Sequence, residues 1–173
     1  MLVLVRMIST SARTSSCSVP AVTVNRSFLQ GPHPPVGPWQ VGREKIREFA
    51  TAVGCTDGAH HDLASAAALG HADLVAPPTF VIALTLGAEQ AVVTHPGAGV
   101  DWSRVVHREQ RFTHHRPVVA GDVLTAEVFL ADVREVAGND LVSCRTEVTD
   151  AAGLPVLTAL STLVARASDG ASA

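Results

Sequence analysis

Between residues 42 and 53 the apolar side chains Ile46, Phe49, Ala50 and Val53 fall at helical spacing, with Arg43, Glu44, Lys45, Arg47 and Glu48 on the remaining faces. This predicts a surface helix with one buried stripe, stopped at Gly54. Residues 62–69 read as a second, short helix, capped by Asp62 and ended by Gly70. A third begins at Pro77 and Pro78, which suit a first helical turn, and continues through TFVIALTLGAEQAVVT. Its predicted buried stripe is Phe80, Ala83, Leu84, Gly87 and Ala91, small enough for a curved sheet to approach the axis closely. After Trp102 the period changes from helix to strand. Segments near 104–116, 122–136, 140–150 and 154–166 alternate with β-branched content, as in Leu124, Ala126, Val128 and Leu130, or Val156, Thr158, Leu160, Thr162 and Val164. Turns at Ala120-Gly121-Asp122, Gly138-Asn139-Asp140 and Asp150 to Gly153 separate them. Helices first and a meander of long strands afterwards predict an α+β domain in which one antiparallel sheet wraps one buried helix.

The edges of the chain read differently. The opening MLVLVRMISTSARTSSCSVPAV is Ser-rich, with an apolar start too short for a secretory signal. Residues 1–23 are expected to be a disordered extension or the product of an over-long start assignment, and 167–173 a flexible tail. The Pro-rich run GPHPPVG at 31–37 is expected to be an extended lead-in, with structure beginning after it.

Composition narrows the function class. A chain of 173 residues fits one domain with a single core, and 47% hydrophobic residues without any Tyr imply a core of Val, Leu and Ala. A net charge of -3 with interspersed signs lacks the clustered basic face of a nucleic-acid binder. No apolar run is long enough to insert into a membrane. Cys17, Cys55 and Cys144 are odd in number and irregularly spaced, which fits a reducing, cytoplasmic setting without a disulfide framework.

Candidate chemistry concentrates between Gly54 and Phe80, where a polar loop with Cys55, Asp57 and His60 leads to the start of the central helix. Asp57 precedes His60 by three residues, close enough for a loop to join them as an acid/base pair, although capping a turn is the commoner use of such an Asp. Cys55 beside His60 permits a nucleophile or simple packing. The neighbours His60-His61 and His114-His115 point to opposite faces of an extended chain, so no metal site is expected. His107, Glu109 and Arg111 would share one strand face as solvated charges, Arg116-Pro117 is architectural, and His71 and Asp73 shape the loop or the mouth of a pocket.

The segments VGREKIREFATAVG at 41–54, GHADLVAPPTF at 70–80, DWSRVVHREQRFTHHRPVVAGDVL at 101–124 and EVAGNDLV at 135–142 carry a resemblance to the MaoC-like hot-dog dehydratases. Within that family the chain resembles the HadA-like subgroup with a FAS1-type N-terminal dehydratase domain. The resemblance spans about residues 24–166. It implies a single hot-dog fold, with a central helix over about Pro78 to Val93, acting on acyl thioesters of acyl carrier protein or coenzyme A without a cofactor. Active relatives carry G-D-x-N-P-[LIV]-H, with the Asp and the His as the catalytic pair. Here Gly54, Cys55, Asp57, Gly58, Ala59 and His60 stand at the matching positions, so the His is kept and the Asp is replaced by Cys55. The relatives' A-H-G-M helix start is matched by Ala76-Pro77-Pro78-Thr79, where Pro78 has no N–H for a thioester oxygen, so such a bond would have to come from Thr79 or elsewhere.

The resemblance therefore implies a (3R)-hydroxyacyl-thioester dehydratase or one of its subunits, eliminating water to a trans-2-enoyl thioester in fatty-acid or related lipid synthesis. His60 is the expected proton shuttle, with Asp57 or a partner's carboxylate as the second group, and Cys55, Thr79 and Phe80 contact substrate. A homodimer, or a heterodimer with a catalytic HadB-like subunit, is expected. The alternatives are a non-catalytic acyl-binding or stabilising subunit, and a hot-dog thioesterase.

Overall fold

A computed structural model of the chain describes residues 24–165. The predicted extension over residues 1–23 and the tail over 167–173 lie outside the described residues. In chain order the elements are α1 (Arg26–Leu29), β1 (Val36–Gln40), α2 (Arg43–Ala52), α3 (Leu63–Ala68), α4 (Ile82–Val93), β2 (Val105–His114), β3 (Val123–Val136), β4 (Asn139–Thr149) and β5 (Pro155–Ala165). The five strands form one antiparallel sheet in the order β1-β3-β4-β5-β2. It curves around α4, the hot-dog arrangement in an α+β domain.

The four long strands and α2 fall where the sequence pattern puts them. The stripe on α2 is narrower than expected, because Ile46 and Ala50 are fully buried, Phe49 is half-buried and Val53, which follows the last helical turn, is exposed. Asp62 caps α3 by accepting from the Ser65 amide at 2.8 Å. The run GPHPPVG is not only a lead-in: its last two residues open β1, an edge strand that pairs with β3. A Cβ at Gly37 would lie 2.9 Å from the Leu124 carbonyl oxygen, so only glycine lets β1 sit this close.

The central helix departs from expectation twice. It starts at Ile82, and Pro78–Val81 form the turn before it, with the Ile82 amide donating to the Thr79 carbonyl at 3.0 Å. Its sheet-facing side is Leu84, Thr85, Ala88, Glu89, Val92 and Val93, whereas Ala83, Gly87 and Ala91 are exposed. Small residues suit either a tight helix–sheet contact or an open face, and period alone does not separate them. What turns the helix is Glu89. Its carboxylate accepts from the Thr146 hydroxyl at 3.0 Å and the Ser161 hydroxyl at 2.7 Å, both buried on the concave side of the sheet. The same bonds explain β5, whose concave positions are Leu157, Ala159, Ser161 and Leu163, with Leu160 and its alternating neighbours on the outer face.

Candidate active site

The loop after α2 is built by three local hydrogen bonds. The Cys55 amide closes onto the Ala50 carbonyl at 2.8 Å. Asp57 accepts from the Ala59 amide at 2.9 Å and so starts a short 3-10 turn over Gly58–His60. His61 donates from Nε2 to the Cys55 carbonyl at 2.9 Å, closing the loop on itself. Gly58 packs against α3, since a Cβ there would meet the Ser65 hydroxyl at 2.7 Å.

His60 is half-buried, and its Nδ1 lies 2.7 Å from the Val75 carbonyl oxygen. A carbonyl only accepts, so Nδ1 carries a proton, and the tautomer this selects has its lone pair at Nε2. The Val75 amide in turn donates to the Ala59 carbonyl at 3.0 Å, and the Ala76 amide to the Val118 carbonyl at 2.8 Å. The histidine is thus fixed to the segment that feeds α4. This fixed tautomer is suited to act as a general base.

The other expected site residues are placed differently. Among the described residues no hydrogen bond joins the Asp57 carboxylate to His60; Asp57 is exposed and caps the turn. Cys55 is a half-buried free thiol, and its meeting with a histidine is made by its carbonyl and to His61. Thr79 is exposed in the turn before α4, and among the described residues its amide has no backbone acceptor. Phe80 is buried, its ring centroid 5.3 Å from that of Trp39 and 5.5 Å from that of Phe49. It is a wall of a 360 Å³ cleft that Lys45, Glu48, Ala52 and Ala83 also line.

A larger cavity of 460 Å³ lies on the other side of the Val75–Pro78 segment, bounded by His114, His115, Arg116 and Val118. His114 donates from Nε2 to the Pro78 carbonyl at 2.9 Å, tying the end of β2 to the turn before α4. Arg116 is committed to Asp122 at 2.8 Å and Asp150 at 3.3 Å, the architectural role expected of it. Asp73 is likewise committed: it takes a forked bond from Arg43, which with the Leu74 amide holds its carboxyl below the usual carboxylate range. His107, Glu109 and Arg111 do not share a face. A bulge at Arg108 places His107 opposite core Leu163 and Glu109 opposite Thr162, and Glu109 pairs with Arg111 at 3.4 Å. Among the described residues no group of three or more His, Cys, Asp or Glu could hold a metal ion.

One ionisable group escaped the sequence reading. Glu89 is completely buried, and burial raises its carboxyl above the ordinary value against the opposing pull of its two hydroxyl donors. Burial, reinforced by the nearby Glu89 charge, pushes the Cys144 thiol up to about 12. The available signal was an acid four residues after Thr85 on the same helix face, in a helix whose other residues, Gln90 apart, are apolar or small.

Residues 34–159 match the family model described as FAS1-like, dehydratase domain region. A UPF0336 protein of Streptomyces griseus subsp. griseus is 50% identical over 150 residues, covering 87% of this chain and 100% of its own. The truncated HadBC complex of Mycobacterium tuberculosis, a (3R)-hydroxyacyl-ACP dehydratase, is similar at 38% identity with a TM-score of 0.68, over 77% of this chain and 92% of that one. A MaoC-like dehydratase is similar at 36% identity with a TM-score of 0.75, over 83% of this chain but 43% of its own, so the present fold is about half of that molecule. With a sheet wound on one helix, a loop histidine bonded to the segment that leads into that helix, and matches of this extent, the chain belongs to the FAS1-like dehydratase-region family of MaoC-like hot-dog proteins.

Proposed function

We propose that this protein is a subunit of a 3-hydroxyacyl-thioester dehydratase and contributes its histidine to a site completed by a second hot-dog subunit. The supporting observation is the Nδ1–H bond of His60 to the Val75 carbonyl, which leaves Nε2 free as a base for the C2 proton of the substrate. The Thr79 amide, free of any backbone acceptor among the described residues, can receive the negative charge that develops on the thioester oxygen. The departing hydroxyl still needs an acid. Asp57 caps its own turn through Oδ1 and makes no bond to His60 among the described residues, so on this reading the acid comes from the partner. A two-subunit site is in keeping with the HadBC complex to which the chain is similar and with the double-length MaoC-like dehydratase in which its fold is one half. The carrier is an acyl carrier protein or coenzyme A, and the setting is cytoplasmic lipid synthesis.

The test is hydration of a trans-2-enoyl thioester by the purified protein, alone and mixed with a HadB-like subunit, with wild type, His60→Ala and Asp57→Asn. The expected result is turnover only in the mixture, lost with His60→Ala and retained with Asp57→Asn. Unchanged turnover with His60→Ala in the mixture would make this chain an acyl-binding or stabilising subunit instead. Turnover by the protein alone, abolished by Asp57→Asn, would identify Asp57 as the acid. Release of free acid without hydration would identify a thioesterase.

A further inference from the structure

Two consecutive prolines leave the turn before α4 short of donors. Pro77 and Pro78 carry no N–H, and the Phe80 amide is taken by the Pro77 carbonyl at 2.9 Å. Thr79 therefore offers the first amide of the turn without a backbone acceptor among the described residues. The direction of that N–H is set by the peptide unit it shares with the Pro78 carbonyl. In a planar trans unit the N–H and the C=O point in opposite directions, so whatever holds the carbonyl also aims the amide.

The Pro78 carbonyl is held by a side chain. In a regular helix it would accept from the amide four residues on, but the Ile82 amide donates to the Thr79 carbonyl instead, at 3.0 Å. The oxygen left over accepts from Nε2 of His114 at 2.9 Å. His114 is mounted on the sheet: it ends β2 opposite Leu157 of β5, and the next two amides, of His115 and Arg116, both donate to the Val156 carbonyl at 2.9 and 3.3 Å. Its ring lies beside Phe112, two residues back on the same strand face, with centroids 6.4 Å apart. Val75, whose carbonyl holds His60, and Pro78, whose carbonyl is held by His114, line the same 460 Å³ cavity. Two histidines thus brace the Val75–Pro78 segment, one at each end.

We propose that His114 is a positioning residue for the reaction: through the Pro78 carbonyl it aims the Thr79 N–H at the thioester oxygen and, by polarising the peptide they share, strengthens that N–H as a donor. This rests on the dehydratase reading above. Negative charge on the thioester oxygen is greater in the transition state than in bound substrate, so His114 acts on turnover more than on affinity.

The experiment is hydration of a trans-2-enoyl thioester by the mixture with the second subunit, comparing wild type, His114→Ala and His114→Gln. His114 is exposed, so both variants fold, and glutamine keeps an N–H donor of similar reach. His114→Ala should lower kcat by about 10–100-fold with KM within about twofold of wild type, and His114→Gln should restore most of the loss. In the full chain without its partner, the Thr79 amide nitrogen resonance, which senses hydrogen bonding at the Pro78 carbonyl, should move in His114→Ala and return towards wild type in His114→Gln. A Thr79 resonance that does not move, a kcat unchanged in His114→Ala, a loss carried by KM alone, or a glutamine variant no better than alanine would each overturn the proposal while leaving the dehydratase reading intact. A wild-type mixture without turnover would overturn that reading and the role of His114 with it.

Discussion

Replacing Glu89 by alanine removes the one fully buried carboxyl group among the described residues. Glu89 has no exposed surface, and its two acceptor bonds come from Thr146 and Ser161 at 3.0 and 2.7 Å. In Glu89→Ala both hydroxyls lose their acceptor inside the core. Each unsatisfied hydroxyl costs about 1–3 kcal/mol, partly recovered if it turns to a backbone carbonyl. Lost packing of the side-chain stem adds to this, so a total near 3 kcal/mol is the working figure. At about 2–4 °C per kcal/mol for a chain of this size, the melting temperature should fall by about 6–12 °C. Glu89→Gln keeps the volume and can still accept from one hydroxyl and donate to the other, so its loss should be about 1 kcal/mol.

The pH dependence separates the carboxyl from its shape. Burial raises the folded carboxyl above its ordinary value, so over that interval the folded state holds a proton the unfolded state has released. The Glu89 contribution to stability is then fully present below the unfolded value and falls as pH rises through the folded one. Urea unfolding of wild type and Glu89→Gln across pH 4–8 should show the wild type losing ground relative to the variant as pH rises. A parallel pair of curves, or a Glu89→Ala protein within 1 kcal/mol of wild type, would refute the reasoning.

Asp73 titrates in the opposite sense: its carboxyl is held low by Arg43, so the destabilisation caused by Asp73→Asn should be present at pH 7 and vanish as acid protonates the wild-type carboxyl, measured by thermal melts from pH 7 down to 2. Cys144, buried and with its thiol pushed up to about 12, should resist iodoacetamide at pH 8 in the native protein and react after unfolding, as read by peptide mass mapping. Gly37→Ala would drive a methyl group against the Leu124 carbonyl oxygen at 2.9 Å, and hydrogen exchange should show β1 amides opening while β4 and β5 stay protected.

The sequence revealed elements better than it revealed faces. Strand lengths and α2 followed from alternation and from a 3.6-residue stripe, because long amphipathic segments have few other ways to bury themselves. For α4 the apolar and small residues run all around the helix, so the period carries no direction, and the deciding contact was a carboxylate bound to hydroxyls that lie more than fifty residues further along the chain. β1 was hidden for a related reason. A Pro-bearing five-residue strand has weak strand propensity of its own and exists because β3 offers it an edge.

The candidate site divides the same way. The identity of the loop and the place of His60 were legible from motif register, since a loop between two capped helices keeps its spacing. Which histidine nitrogen is left without a protein partner was not, because it depends on the Val75 carbonyl, delivered by a segment fifteen residues later. The role of Asp57 turned on competition for one carboxylate: a residue three positions before a histidine can pair with it or cap the turn between them. The Ala59 amide, two residues away and already oriented, takes it. With Asp57 capping the turn and His60 bonded to the Val75 carbonyl, no carboxylate is hydrogen-bonded to His60 among the described residues, and that is the physical reason the proposed function looks to another subunit for the acid.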